Sequence, residues 1–242
     1  MLLKPWEELP PSLRRPEVRP YYERLSSRRF TLFIKRAMDI FLSLLLLLLL
    51  APFFLILSVW IKADSPGPVF FRQERVTQYG RVFRIFKFRT MVSDAERLGS
   101  SVTVRGDRRI TRVGAKIRRS RLDEIPQLLN VLVGDMSFVG TRPEVPRYVA
   151  CYSSEMMATL LLPAGITSPA SIRFREEDKL LQNAADADEV YIHEILPVKM
   201  AANLQYLRRL SILRDIALLF YTVFPPLGTE GADKKSDEQT KA

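Results

Sequence analysis

The chain's strongest pattern is a stretch without any polar alternation. Residues 40–61, IFLSLLLLLLLAPFFLILSVWI, carry no charge over 22 positions and include seven consecutive leucines, Leu44 to Leu50. As a helix this segment measures about 33 Å, against about 30 Å for a bilayer's hydrocarbon core. It lies well inside the chain and no small-residue cleavage pattern follows it, so the pattern predicts a membrane anchor rather than a cleaved signal. Pro52, near its middle, removes a backbone donor and crowds the carbonyl one turn back. Both flanks are basic: Arg28, Arg29, Lys35 and Arg36 precede it, and Lys62, Arg72, Arg75 and Arg81 follow. A simple span places only one flank on the cytoplasmic side, where basic residues belong. A helix broken at Pro52 that returns to the same face satisfies both, and a re-entrant helix-break-helix is the expectation.

Elsewhere the periodicities are shorter. Residues 1–27 hold prolines at 5, 10, 11, 16 and 20 among many charges and read as an extended lead-in. In RRFTLFIKRAMD (28–39), Phe30, Phe33, Ile34, Ala37 and Met38 recur at helical spacing and run into the apolar segment. After the turn-like DSPGPVFF, the runs VFFRQERV and RVFRIFKF alternate as two strands around Tyr79-Gly80. Ile125, Leu128, Leu129 and Leu132 mark an amphipathic helix closed by Gly134. The last third, from EEDKLL to DIALLFYTVF, reads as mainly helical with breaks at Pro163, Gly165 and Pro197. The final GADKKSDEQTKA reads as disordered. The predicted fold is α+β and mainly helical, with a short β-hairpin in a cytosolic helical globule on a re-entrant membrane foot. Its expected divisions are a lead-in (1–27), an interfacial and membrane helix (28–62), a catalytic domain (63–228) and a tail (229–242).

Composition narrows the partners. A net charge of +10 over 242 residues points to anions: nucleic acid, lipid headgroups or phosphorylated substrates. Cys151 and His193 are the only residues of their kinds, which excludes an intrachain disulfide, a cysteine zinc site and a multi-histidine metal site. There is no Walker A sequence, no Gly-rich dinucleotide fingerprint and no internal repeat.

The candidate chemistry sits in SRLDEIPQLLNVLVGD (120–135), where Asp123 and Glu124 follow a basic run. From Arg105 to Arg121 there are eight Lys or Arg residues against one acid, Asp107. Pro126 is harmless only in a helix's first turn, so Asp123 falls near the N-cap, and Ser120 with Asp123 matches a capping box. A structural cap is one reading. The other uses the same physics: a helix N-terminus beside arginines suits phosphate, and a carboxylate there can attack phosphorus or hold Mg2+. Arg109 in DRRIT and Arg112 directly after it are candidates for phosphate contacts from the same run.

KRAMD before an apolar segment with a central proline, FFRQERV, FKFRTM, DRRITRVGAKIRRSRLDEIPQLLNVLVGDMSFVGTRPE and AGIT together resemble the bacterial sugar transferase family. These are monotopic polyprenyl-phosphate phosphoglycosyl transferases. The resemblance covers roughly residues 35–175 and is most specific from Lys87 to Glu144. It implies transfer of a sugar 1-phosphate from a UDP-sugar to undecaprenyl phosphate, with release of UMP, as the first membrane step of surface-glycan assembly. It further implies Mg2+ held by Asp123 and Glu124, a covalent phospho-sugar on Asp123, and a site at the cytoplasmic face of the bacterial inner membrane. Carried over by motif, Arg142, Pro143 and Glu144 lie near the nucleotide and phosphates, as do Lys87 and Arg89. The implied partners are the UDP-sugar, undecaprenyl phosphate and membrane lipids, with a homodimer left open and no nucleic acid. The sequence departs from the family pattern at Ala51, where a serine is usual before the proline, at Thr141 and in PAGITSPASIRF. A rival of another class is a membrane-tethered basic module that binds nucleic acid or anionic lipid without catalysis; charge and the Phe-rich RVFRIFKF support it.

Overall fold

A computed structural model describes residues 3–93, 95, 107–174 and 186–224. The start of the expected C-terminal helical stretch at EEDKLL and the expected disordered tail lie outside the described residues.

Helix α1 (Arg19–Ser26) is followed almost at once by α2 (Arg29–Asp64). At 36 residues, α2 is about 54 Å long, and Pro52 lies inside it. Lys35, Asp39 and Ser43, spaced four apart, are buried on one face with Leu32, while Leu57 and Ile61 are buried near the other end. Between them Leu48, Leu49, Phe53, Leu55 and Ile56 are exposed. Such a contiguous apolar surface is unfavourable in water and marks α2 as the membrane-associating element.

The polar residues of KRAMD tie this helix to the globule. Asp39 Oδ1 accepts the Ser137 hydroxyl and the Phe138 amide, both at 3.1 Å. Arg36 donates to the carbonyls of Val131 and Leu132 at 2.6 and 2.8 Å, satisfying orphan acceptors at the C-terminus of α4 (Gln127–Val133). At the far end, Asp64 Oδ2 accepts the amide of Val113 in α3 (Arg112–Arg119), beside the Thr111 cap.

Residues 3–27 correct the extended lead-in. A 3-10 turn at Trp6–Glu8 and α1 lay Leu9, Leu13, Val18, Tyr21, Tyr22 and Leu25 into the main core. The prolines sit at turns and helix starts, where the missing donor costs little, rather than holding the chain extended.

The expected hairpin is present. Strands β1 (Phe70–Val76) and β2 (Val82–Phe88) are antiparallel, with Val76 opposite Val82, and both Tyr79 (φ 62°) and Gly80 (φ 78°) have positive φ at the turn. A second pair was not expected: β3 (Met136–Val139) runs parallel to β4 (Ala164–Thr167). All four β3 residues are buried, so neither face leaves a polar alternation to read. Gly165, expected as a helix break, lies within β4. A Cβ there would stand 2.1 Å from the backbone nitrogen of Gly140, so glycine permits the close approach of the two chains. After Pro163, α5 (Leu196–Arg208) and α6 (Ile212–Val223) close the fold. Pro197 marks the passage from a π-helical turn (Tyr191–Ile195) into α5.

Candidate active site

The acidic pair owes its placement to a reversal of the chain. Helix α3 closes on Ser120, whose hydroxyl donates back to the carbonyls of Lys116 and Ile117 at 3.1 and 3.2 Å. Arg121 then adopts the left-handed conformation (φ 54°, ψ 21°), which costs a non-glycine residue about 1 kcal/mol. Leu122–Glu124 becomes a separate 3-10 turn ahead of α4. The capping expectation is therefore not realised: α4 begins after Pro126 with no side-chain cap, and Ser120 serves α3.

Glu124 is clamped. Arg142, just beyond β3, donates from Nη2 to Oε1 at 2.5 Å and from Nη1 to Oε2 at 3.4 Å, a fork-to-fork arrangement. Lys87, near the end of β2, donates to Oε1 at 3.3 Å. Burial alone would raise the Glu124 carboxyl; Arg142 and then Lys87 overcome it and hold it well below the usual carboxylate range. The Lys87 ammonium is itself pushed down by burial, against the pull of Glu124.

Asp123 is in a different position. Among the described residues it has no ion-pair partner at contact distance, and burial pushes its carboxyl up, against the field of Lys87 and with that of Glu124. Two adjacent carboxylates thus have separate environments, one locked by cations and one uncommitted, the arrangement expected when the two perform different tasks.

Asn130 aligns the supports. Its carbonyl accepts the Phe86 amide at 2.8 Å, and its NH2 donates to the Arg84 carbonyl and to Asp135. This pins the end of β2 that carries Lys87 onto α4, the helix that follows the dyad's 3-10 turn.

The other candidates fall in several places. The Pro143 carbonyl accepts Nη1 of Arg75 at 3.2 Å. Glu144 is buried, 6 % exposed, and accepts the Tyr191 hydroxyl at 2.6 Å and the Lys199 ammonium at 3.4 Å. Arg89 is turned onto the Ser65 and Pro66 carbonyls at 2.6 and 2.8 Å, bracing the exit of α2. Arg109 forks onto Asp107, and Arg112 is exposed at the first position of α3. Pro52 is exposed on α2. Of the predicted residues, the structure brings Lys87 and Arg142 to the dyad, with Pro143 and Glu144 on the adjoining turn. Arg75, Tyr191 and Lys199 were not singled out from the sequence. Strand alternation could have found Arg75, since the hairpin register puts it on the Lys87 face; no local signal marks the other two.

Asp123 and Glu124 are hard oxygen donors side by side, and no group of three or more His, Cys, Asp or Glu able to hold a metal ion occurs among the described residues. That set fits Mg2+, which keeps several waters and completes its shell with one or two carboxylates and substrate phosphates.

The bacterial sugar transferase family model matches residues 30–228, from the start of α2 past the end of α6. The chain belongs to the bacterial sugar transferase family. Among its relatives in that family is the UDP-N-acetylgalactosamine-undecaprenyl-phosphate N-acetylgalactosaminephosphotransferase of Aeromonas hydrophila, 39% identical over 194 residues. That alignment covers 79% of this chain and 43% of the relative. The exopolysaccharide production protein PSS of Rhizobium leguminosarum bv. phaseoli is 38% identical over 206 residues, covering 81% of this chain and 96% of the relative. The UDP-glucose:undecaprenyl-phosphate glucose-1-phosphate transferase of Escherichia coli K12 is 36% identical over 196 residues, covering 79% and 39%. The chain thus spans less than half of the first and third of these relatives and nearly all of the second.

Proposed function

We propose that this protein transfers a sugar 1-phosphate from a UDP-sugar to undecaprenyl phosphate and releases UMP. The observation that carries this reading is an uncommitted Asp123 beside a Glu124 held ionised by Arg142 and Lys87. Its setting in a family whose relatives bear the names above supplies the substrate class.

The chemistry proceeds in two displacements. A carboxylate oxygen of Asp123 forms a bond to the phosphorus that bears the sugar, the bond to the UMP oxygen breaks, and UMP leaves. A phosphate oxygen of undecaprenyl phosphate then attacks the same phosphorus, which yields the diphosphate-linked lipid and returns Asp123 as a carboxylate. An ionised aspartate needs no general base for this, consistent with a site lacking histidine. Arg142 and Lys87 oppose the charge that spreads over the phosphoryl oxygens, the main demand of phosphoryl transfer. Mg2+, when bound by Asp123 and Glu124, supplies further charge neutralisation at the phosphates. Membranes containing the protein, given undecaprenyl phosphate, Mg2+ and a panel of UDP-sugars, are expected to release UMP with at least one donor. Release should stop on chelation with EDTA and return with added Mg2+. Silence across the whole panel refutes the reading and favours the non-catalytic basic module.

We place the site at the cytoplasmic face of the inner membrane, with α2 re-entrant. Support comes from the two basic flanks and from the tethering of α2 to one globule on both sides of its apolar stretch, Asp39 to β3 and Asp64 to α3. Single cysteines placed in residues 3–27 and just after residue 64, in a Cys151→Ser background, should react with an impermeant thiol reagent from the same side. Labelling from opposite sides would show a simple span.

A further inference from the structure

Arg75 has no assigned task in the reaction above, yet the hairpin register brings it to the working face. It stands opposite Phe83, with Gln73 opposite Ile85 and Phe71 opposite Lys87. Opposed residues of an antiparallel pair share a face, and alternate residues repeat it. Arg75, Gln73 and Lys87 therefore line one face, with Phe83 and Ile85 packed in the core between them. From that face Lys87 reaches Glu124.

A guanidinium has five N–H donors. Arg75 gives one to the Pro143 carbonyl at 3.2 Å and one to the Gln73 side-chain oxygen at 2.7 Å, while its buried Nε has no partner. Neither acceptor is charged, and no carboxylate lies within ion-pair distance of Arg75 among the described residues. Glu144, the neighbouring carboxylate, is bonded to Tyr191 and Lys199. Arg75 is half-buried, Glu144 and Glu124 act on its charge only from beyond contact distance, and two of its four Nη hydrogens remain for an acceptor. The turn it touches is the one that carries Arg142.

We propose that Arg75 is a further substrate-binding residue that donates to a phosphate oxygen alongside Arg142; this rests on the transferase reading above. The acceptor chemistry is a phosphate oxygen, from either the donor's diphosphate or the lipid acceptor's phosphate. Glu144, Tyr191 and Lys199 stand behind it: the Glu144 carbonyl accepts the amide of Val76, the residue next to Arg75, at 2.9 Å, which holds the strand end in place.

The test compares the full chain with Arg75→Lys and Arg75→Ala in membranes, varying each substrate in turn at saturating levels of the other. Arg75→Lys keeps the charge but loses the planar fork, so KM for one substrate is expected to rise about ten-fold, the loss of one charge-assisted hydrogen bond. A rise for the UDP-sugar assigns Arg75 to the donor; a rise for undecaprenyl phosphate assigns it to the acceptor. Guanidinium should partly restore Arg75→Ala, and neutral urea should not. Unchanged KM for both substrates overturns the proposal. So does a KM rise that comes with a lowered melting temperature and no guanidinium rescue, because that pattern belongs to a brace of the Pro143 turn. Calorimetry with UDP and with a short-chain polyprenyl phosphate makes the comparison without turnover. Equal affinities of wild type and Arg75→Ala for both probes overturn the proposal even where no UDP-sugar is consumed, whereas failure of the wild type to release UMP counts against the transferase reading alone.

Discussion

Asp123→Asn is expected to lower UMP release by at least about a thousand-fold, the scale seen when a covalent nucleophile is removed. The substitution is isosteric and leaves the surroundings intact, because Asp123 caps no helix and has no ion-pair partner among the described residues. Its melting temperature should therefore stay close to that of the wild type. A second measurement isolates the covalent step. Wild-type protein quenched with its donor in the absence of lipid acceptor should carry a sugar-phosphate mass on the peptide containing Asp123, and the Asn variant should not. Turnover that survives the substitution, or an adduct mapped to another side chain, removes Asp123 from the nucleophile's role. Glu124→Gln is a poorer probe of chemistry, since it strips the counter-charge from both Arg142 and Lys87 and disturbs the site electrostatically.

Lys35→Met should destabilise the protein by about 3–5 kcal/mol, the cost of removing one partner of a buried ion pair. Lys35 and Asp215 meet at 2.5 Å with side chains 4% and 6% exposed, and the Tyr206 hydroxyl donates to the other Asp215 oxygen at 2.7 Å. Without Lys35, Asp215 keeps a buried charge with only that hydroxyl to stabilise it. The double variant Lys35→Met/Asp215→Leu should recover most of the loss, because an apolar pair of similar volume replaces both charges. Denaturant unfolding in detergent reads both. A single variant as stable as the wild type would mean that water reaches Asp215 and that the pair does not lock α6 onto α2.

The elements legible in the sequence were those with a strong local period. The apolar run of α2, the alternation of β1 and β2, and the helix closed by Gly134 all stand where the residues put them. The missed elements have no such period. β3 is buried on all sides, and residues 3–27 are organised by contacts with distant core residues, so their prolines and charges misled the reading. At the site, the acidic pair was legible and its cap was not: the left-handed Arg121, a single backbone conformation, moved Asp123 off the helix end. Arg89 shares a short motif with Lys87, and at a spacing of two it would share that face in a strand; it lies past the end of β2, where the chain leaves the sheet, and turns to Ser65 and Pro66 instead.

By itself the sequence determined the membrane-length helix, the hairpin and two neighbouring carboxylates, because each is written within a few residues as a spacing of apolar or charged positions. Only the tertiary structure decided which of the 37 Lys and Arg residues face those carboxylates. Lys87 and Arg142 lie 37 and 18 positions from Glu124, and Lys35 lies 180 from Asp215. Opposite charges attract without regard to their order along the chain, so the choice among so many cations falls to the packing that brings particular backbones together and excludes water from between them.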